Sequence, residues 1–163
     1  MNITLGERTA ETVAIYFDKA QHPAIRRMLP QKARTVEEAL ADYERTLQAG
    51  ASSYGRTICA DGRYVGDVWC FAIDLADTPS AMLSYCIFEQ DIWGFGAATE
   101  AVRLFLEAVQ AKFDLSSMGA FTYADNAASI RVLEKNGFTL QETFEENGRS
   151  SCYYERRLQS KGG

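Results

Sequence analysis

The sequence has 163 residues, 47% of them apolar and 24% charged, and a formal net charge of −5 at pH 7. This length and composition predict one globular domain over residues 1–163 and exclude a disordered or fibrous protein. The acidic balance argues against nucleic-acid binding, and the absence of a signal-peptide pattern and of any apolar run of about 18 residues favours a cytoplasmic protein without membrane contact.

Helices are predicted in the first third of the chain. Short apolar clusters broken by prolines indicate one or two short helices between residues 7 and 30. Residues 35–49 carry apolar side chains at helical spacing, which predicts an amphipathic helix. Thr35 and Glu38 predict a capping box at its start, and Gly50 is a stop signal at its end.

A sheet is predicted in the middle of the chain, where β-branched and aromatic residues replace the helical pattern. The dipeptide Asp61-Gly62 is a strong hairpin signal. Three antiparallel strands are expected, at 54–60, 64–75 and 81–89. The helical pattern returns over residues 98–113, whose apolar side chains share one face and predict a long helix packed on the sheet.

The last third of the chain alternates strands with one helix. The expected order is a strand at 119–124, a helix at 127–135, and strands at 138–146 and 149–158. A turn at Asn147-Gly148 joins the last two strands, and the tail at 160–163 is expected to fray. Together the elements predict a mixed α/β fold with a mostly antiparallel twisted sheet of about six or seven strands flanked by helices.

Cysteine and histidine usage excludes several kinds of site. The four cysteines are widely spaced, form no CxxC pair and lie among apolar or aromatic neighbours, which indicates reduced, buried thiols. Because His22 is the only histidine, neither a zinc site nor a Ser-His or Cys-His nucleophile is expected. We therefore expect no metal.

A glycine-rich turn precedes the long helix. Residues 93–100 read Trp-Gly-Phe-Gly-Ala-Ala-Thr-Glu and lie where free backbone N–H groups and the helix dipole would converge on an anion. Glycine at positions 94 and 96 would let phosphate oxygens approach the main chain. The pattern is neither a P-loop nor a dinucleotide fingerprint. The turn is a candidate pyrophosphate site, although a plain strand-to-helix turn explains the glycines equally well.

Two motifs resemble those of one enzyme family. The glycine turn resembles motif A of the GNAT superfamily of acyl-CoA N-acyltransferases, written Q/R-x-x-G-x-G/A, with Trp93, Gly96 and Ala98 at its first, fourth and sixth places. Trp93 departs from the usual Gln or Arg. Residues 124–138 resemble the N-x-x-S helix and GF strand of the ribosomal-protein N-terminal acetyltransferase branch. The likeness is most specific over residues 83–138.

The resemblance implies acetyl-CoA as the cofactor, held in a V-shaped opening between the strands at 81–89 and 119–124. The implied cofactor-binding residues are the main chain of Tyr85, Ile87 and Phe88, the turn residues Trp93, Gly94, Phe95, Gly96, Ala97, Ala98 and Thr99, and the helix residues Asn126 and Ser129. The last two are three positions apart on one helical turn, so both side chains can face the cleft. On the residues alone, Asp125 or Asn126 is also explained as an N-cap.

The resemblance also implies catalytic roles. Ser129 is the candidate donor of a proton to the departing thiolate, and Tyr123, on the adjoining strand end, is the reserve donor. Glu145 is the candidate base. Three further carboxylates remain as alternatives: Glu146, Glu89 and Asp91. Each of these carboxylates is otherwise explained as a solvated surface charge.

The implied function is transfer of an acetyl group from acetyl-CoA to a primary amine by direct attack in a ternary complex. The acceptor stays open between a protein N terminus and a small amine. A non-catalytic acyl-CoA-binding or regulatory module is the alternative, and an unrelated α+β ligand-binding domain is a third interpretation. Exposed sheet edges favour a homodimer, although the sequence leaves the oligomeric state open.

Overall fold

A computed structural model describes residues 1–159, and the tail expected to fray at 160–163 lies outside the described residues. The strands are β1 (Ile3–Gly6), β2 (Tyr54–Ala60), β3 (Arg63–Asp74), β4 (Ser80–Ile87), β5 (Ser117–Tyr123), β6 (Thr139–Glu146) and β7 (Arg149–Arg157). The helices are α1 (Ala10–Lys19), α2 (Pro23–Arg26), α3 (Val36–Thr46), α4 (Ala97–Lys112) and α5 (Ala127–Lys135). A short 3-10 helix spans Gln90–Ile92. Within residues 1–159, no helix is long and apolar enough to cross a membrane.

The seven strands form one sheet in the order β1-β2-β3-β4-β5-β7-β6. Neighbouring strands run antiparallel except β4 and β5, which are parallel. The hairpin turns expected at Asp61-Gly62 and Asn147-Gly148 are present, and all four residues have the positive φ that such turns require. The predicted mixed α/β fold with a mostly antiparallel sheet is confirmed.

The two central strands diverge. β4 and β5 pair through Ser80 and Ser117, Ala81 and Met118, and Met82 and Gly119, and the described ladder ends there. Beyond Met82 and Gly119 the two strands do not pair with each other, although β4 stays paired with β3 to Ile87 and β5 stays paired with β7 to Tyr123. The V-shaped opening expected between these strands is therefore present.

Helices cover both faces of the sheet. On one face, α4 buries Val102, Phe105 and Val109 against the strands in the main core. On the other face, Cys86 and Phe88 pack with residues of α1 and α2 in a smaller cluster. The four cysteines are free thiols, three of them buried. Because side chains alternate along a strand, consecutive residues of β4 belong to different faces, which matters where the strand borders the opening.

Most element boundaries lie within about two residues of those expected, and two differences are larger. β1 was not predicted, because four residues are too few to show an alternating pattern. α3 ends at Thr46 rather than at residue 49. The amides of Leu47 and Gln48 donate to carbonyl oxygens three residues back, which is the bonding pattern of a 3-10 turn rather than of an α-helix. The capping box is only half formed. The Thr35 hydroxyl accepts the amide of Glu38 at 3.1 Å, but the Glu38 carboxylate accepts the amide of Arg34 instead of Thr35.

Candidate active site

The divergence of β4 and β5 opens a cavity of about 740 Å³ that passes through the sheet. Its walls include Leu83, Tyr85 and Ile87, which face α4, and Ser84 and Cys86, which face the opposite side. The N-terminal end of α4 and one side of α5 border it on the first face. The segment from Ala24 to Leu29 borders it on the second face. A molecule in this cavity is therefore reachable from both faces.

The start of α4 has the chemistry of an anion site. Gly96 is the N-cap, with φ of +84°, and Gly94 has φ of +87°. A Cβ atom at either glycine would meet no atom within 4 Å, so glycine is required here by backbone conformation rather than by space. Gly96 offers no side-chain cap, so the amides of Ala97 and Ala98 stay available to a ligand at the positive end of the helix dipole.

Trp93 lies at the rim of the cavity and is 44% exposed. Its indole Nε1 donates a hydrogen bond of 2.9 Å to the carbonyl oxygen of Ile87, at the end of β4. The side chain at the variant position of the motif thus fastens the glycine turn to the strand that borders the opening. Phe95, in the same turn, is 73% exposed and does not line the cavity.

Alternate residues of β4 form main-chain hydrogen bonds with β3, and the residues between them direct their main-chain groups toward the opening. The amide of Phe88 donates to the carbonyl oxygen of Val65 in β3, at 2.8 Å. In an antiparallel pair such bonded positions alternate, so the polar groups of Tyr85 and Ile87 point away from β3, toward β5. The amide expected at Phe88 is instead used inside the sheet, and its ring is buried against Ile25 and Tyr64. Tyr85 and Ile87 keep the geometry expected of them.

The first turn of α5 brings a serine to the cavity. Asn126 is the N-cap, and its Oδ1 accepts the amide of Ser129 at 3.2 Å, so the capping interpretation of Asn126 is confirmed. Both residues line the cavity. The Ser129 Oγ lies 2.8 Å from the hydroxyl of Tyr85, which also donates to the Ser129 carbonyl oxygen at 3.2 Å. Capping and exposure to the cavity thus occur together.

Burial keeps the Tyr85 hydroxyl protonated. Loss of solvent raises the pKa of Tyr85 to about 12, and its hydrogen bond with Ser129 offsets only part of that effect. At neutral pH, the cavity therefore presents two linked hydroxyl groups that can donate a proton. The sequence pointed to Tyr85 for its main chain and gave no signal for this hydroxyl, because the contact joins residues 44 positions apart.

Two predicted catalytic residues lie outside the cavity lining. Tyr123 lies under the guanidinium group of Arg149, whose Cζ is 3.5 Å from the ring centroid. Glu145 is exposed on β6, opposite Ser150. The three alternative carboxylates also lie outside the lining: Glu89 pairs with Lys19 at 3.3 Å, Asp91 pairs with Arg63 at 3.1 Å, and Glu146 is exposed on β6 opposite Arg149.

Charge in the cavity wall is positive. Arg27, Arg131 and Lys135 line it, and none of the lining residues found within 1–159 is Asp, Glu or His. Arg131 and Lys135 belong to α5, on the same face as the N terminus of α4. Cations beside free helix amides favour an anion with several negative charges.

Arg149 ties together the walls on the second face, and the sequence gave no signal for this role. Its Nη1 donates to the carbonyl oxygen of Arg27 at 2.8 Å, and its Nη2 lies 3.2 Å from Oδ1 of Asp125. The same guanidinium covers the ring of Tyr123. The segment after α2 is thereby fixed to the β5–α5 loop and to the start of β7.

Comparison with known proteins agrees with this geometry. A model of the acetyltransferase (GNAT) domain matches residues 3–139. No curated protein matches the sequence.

Solved structures share the fold at low sequence identity. Mycobacterium smegmatis RimJ in complex with a CoA disulfide is 18% identical, with a TM-score of 0.82 over 97% of this chain and 85% of that one. RimL, a ribosomal L7/L12 α-N-protein acetyltransferase in complex with coenzyme A, is 20% identical, with a TM-score of 0.80 over 97% and 95%. Aminoglycoside acetyltransferase AAC(6')-Ib in complex with coenzyme A is 17% identical, with a TM-score of 0.77 over 99% and 96%.

Proposed function

The chain belongs to the acetyltransferase (GNAT) domain family, and we propose that it transfers the acetyl group of acetyl-CoA to a primary amine. The observation that carries this proposal is the cavity through the sheet. It joins a helix N terminus suited to an anion with the paired hydroxyls of Ser129 and Tyr85. The amine is that of a small molecule or of a protein N terminus.

The residues present fit coenzyme A. Its phosphates would be held by the free amides of Ala97 and Ala98, with Arg131 and Lys135 adding positive charge. Its pantetheine amides would bond the main-chain groups of β4 that face the opening. The Ile87 carbonyl already accepts the Trp93 indole, but its second lone pair remains available. Acetyl-CoA supplies an activated thioester to this site.

The reaction requires one proton to be removed from the amine and another to be given to the leaving thiolate. An ammonium must lose a proton before it can attack, and since no described carboxylate or histidine lines the cavity, water carries that proton away. Ser129, with Tyr85 bonded to it, would donate a proton to the departing thiolate, and the second proton, which the acylated nitrogen loses, would restore the donor. Glu145 as base and Tyr123 as reserve donor remain predictions. Because neither residue lines the cavity, Glu145 ranks behind water as the base, and Tyr123 ranks behind Ser129 and Tyr85 as the proton donor.

The setting of this activity is also part of the proposal. We expect residues 1–163 to act as one domain in the cytoplasm. A homodimer would be formed through an exposed sheet edge, at β1 or β6. Gel filtration with light scattering, and fractionation of the cells that make the protein, test these expectations.

The direct experiment measures thiol release from acetyl-CoA with a panel of amines and N-terminal peptides. We expect release that depends on an added amine, and mass spectrometry should find the product amine heavier by one acetyl group. Calorimetry with coenzyme A is run beside it. Binding without turnover on any amine would favour the non-catalytic acyl-CoA-binding module, and absence of both binding and turnover would refute the assignment of the cavity.

A further inference from the structure

An aromatic side chain is exposed at the centre of the sheet. Phe121 lies in the middle of β5, yet it is 58% exposed. Its ring centroid is 5.0 Å from that of Tyr153 and 6.0 Å from that of Phe144. These three rings, from β5, β7 and β6, are called the aromatic floor below. A phenylalanine that stays in water at a sheet centre gains little from folding, so its position needs another explanation.

The aromatic floor lies on the face opposite α4. Ala120 and Thr122, the neighbours of Phe121 along β5, are buried on the α4 side, so alternation directs Phe121 to the second face. Tyr153 is the cross-strand partner of Phe121, and its side chain therefore shares that face.

The aromatic floor is continuous with the cavity. Phe121 lines the cavity together with Ser84 and Cys86, which belong to the same face. The helix amides and cations assigned to coenzyme A lie on the other face. An acceptor that comes to the opening from the side opposite the cofactor therefore meets Phe121.

Acidic groups flank the rings. Glu142 is the cross-strand partner of Tyr153, and the Tyr153 hydroxyl donates to Oε2 of Glu155 at 3.0 Å. A second copy of the chain placed here by a two-fold axis would bring these carboxylates close to their own copies, which disfavours self-association. A cation with an apolar body suits the rings and the carboxylates together.

We propose that the aromatic floor binds the acceptor, and that the acceptor is an amine with an apolar body, an aromatic or branched alkyl group within a few bonds of the nitrogen. This inference rests on the proposed function and narrows its substrate class. Phe121 determines specificity by covering the apolar body while the amine reaches the opening. The same chemistry occurs in free arylalkylamines and in peptides that begin with an apolar residue. Polyhydroxylated amines lack the apolar body and are poor acceptors.

The test compares matched acceptors with wild-type protein and two variants. 2-Phenylethylamine and ethanolamine form one pair, and Phe-Ala and Ser-Ala dipeptide amides form the other, so that the two arms separate free amines from peptides. With wild-type protein we expect kcat/KM to favour the apolar member of at least one pair by about tenfold or more, through KM. Phe121→Ala should reduce that preference to about twofold or less and leave the KM for acetyl-CoA within about twofold.

A matched variant and a binding measurement serve as controls for the effect of Phe121→Ala. Phe71 is another exposed phenylalanine, 40% accessible, and it does not line the cavity, so Phe71→Ala should keep the wild-type preference. Because Phe121 is mostly exposed, its truncation opens no core, and the melting temperature should change little. Calorimetric titration of 2-phenylethylamine into the protein with coenzyme A bound should show weaker binding for Phe121→Ala. The dissociation constant should rise by about the same factor by which the preference for apolar acceptors falls.

The results separate this inference from the proposed function. Absence of turnover with every amine, together with absence of coenzyme A binding, would refute the proposed function. Turnover without preference for apolar acceptors, or an unchanged preference in Phe121→Ala, would overturn the inference alone. A dimer that dissociates in Phe121→Ala while acceptor KM stays constant would also overturn it, because the face would then be an interface between copies.

Discussion

The hydroxyl of Tyr85 lies 2.8 Å from Oγ of Ser129 and links the middle of β4 to the first turn of α5 across the opening in the sheet. β4 supplies the strand edge that would hold the pantetheine arm, and α5 supplies cations on the same side. The hydrogen bond therefore joins the two parts of the proposed cofactor site.

Replacing either hydroxyl should slow the chemical step. Ser129→Ala and Tyr85→Phe each remove one member of the proton-donating pair, and we expect kcat to fall by about 10²-fold, in the range of general acid catalysis. Affinity for coenzyme A should stay within about threefold, because the phosphate and strand-edge contacts remain. Steady-state thiol release gives kcat, and calorimetry gives the affinity.

Tyr54→Phe is the control for loss of a tyrosine hydroxyl. The Tyr54 ring stacks on Phe105, with centroids 5.7 Å apart, and it does not line the cavity. Its kcat should match wild type. An unchanged kcat in both Ser129→Ala and Tyr85→Phe would exclude the pair as proton donor.

The glycine turn should show a binding effect separate from its stability effect. Gly96 and Gly50 both have positive φ and open space around the missing Cβ, so Gly96→Ala and Gly50→Ala should each cost about 1 kcal/mol of unfolding free energy. Only the exchange at Gly96 touches the anion site. Gly96→Glu should abolish coenzyme A binding by placing a negative charge at the helix N terminus, whereas Gly50→Glu should bind normally.

Urea unfolding and calorimetry of the four variants measure these two effects. Equal coenzyme A affinity in Gly96→Glu and Gly50→Glu would place the phosphates elsewhere.

Loss of Arg149 should affect the acceptor and spare the cofactor. Arg149→Met keeps an apolar stem but removes the bonds to the Arg27 carbonyl and to Asp125. The segment after α2 then loses its anchor, and we expect the acceptor KM to rise by about fivefold to tenfold, with acetyl-CoA KM unchanged. Arg103→Met, at an exposed ion pair with Glu100 and Glu107, is the control and should leave both constants unchanged. A rise in the acetyl-CoA KM alone would contradict this division.

Stability should depend on pH through Asp67. This buried carboxylate accepts a hydrogen bond of 2.6 Å from the Tyr64 hydroxyl and forms an ion pair with Arg8, whose Nε lies 3.1 Å away, but burial outweighs both partners and raises the pKa of Asp67 to about 6. The folded state therefore binds the Asp67 proton more tightly than the unfolded state. Its contribution to stability is complete below a pH of about 4 and is lost as the pH rises to about 6.

Urea unfolding of wild type and Asp67→Asn at several pH values isolates this effect. The difference in unfolding free energy, wild type minus variant, should decrease from about pH 4 through pH 6 and become level about one pH unit above that. A difference that increases over the same interval would mean that Arg8 lowers the pKa of Asp67 more than burial raises it.

Local chemistry made much of the fold predictable. Residues 127–135 and 54–60 form the helix and the strand expected at those bounds, because an N-cap, a following glycine and a hairpin turn mark their ends. The glycine turn likewise precedes α4, as its composition indicated. These features depend on neighbours a few residues away, which a single sequence displays directly.

Contacts between distant residues were not predictable in the same way. Arg149 meets the carbonyl of Arg27 across 122 positions, and nothing in the local pattern around Arg149 distinguishes it from a solvated arginine. The sequence gave no signal for Phe121, and only the sheet shows that its ring faces outward. The same limit applies to Asp67, whose ion pair with Arg8 joins β3 to the segment between β1 and α1.

A cavity that crosses the sheet where two strands separate, after Met82 and Gly119, also bears on the design of inhibitors. A compound that joins a pantetheine-like arm to an acceptor-like group would have to be threaded through the gap, with a slim, unbranched linker at the position of the transferred acetyl group. Such a bisubstrate compound would occupy both faces at once, and bulk added at its linker should abolish binding even where each end fits.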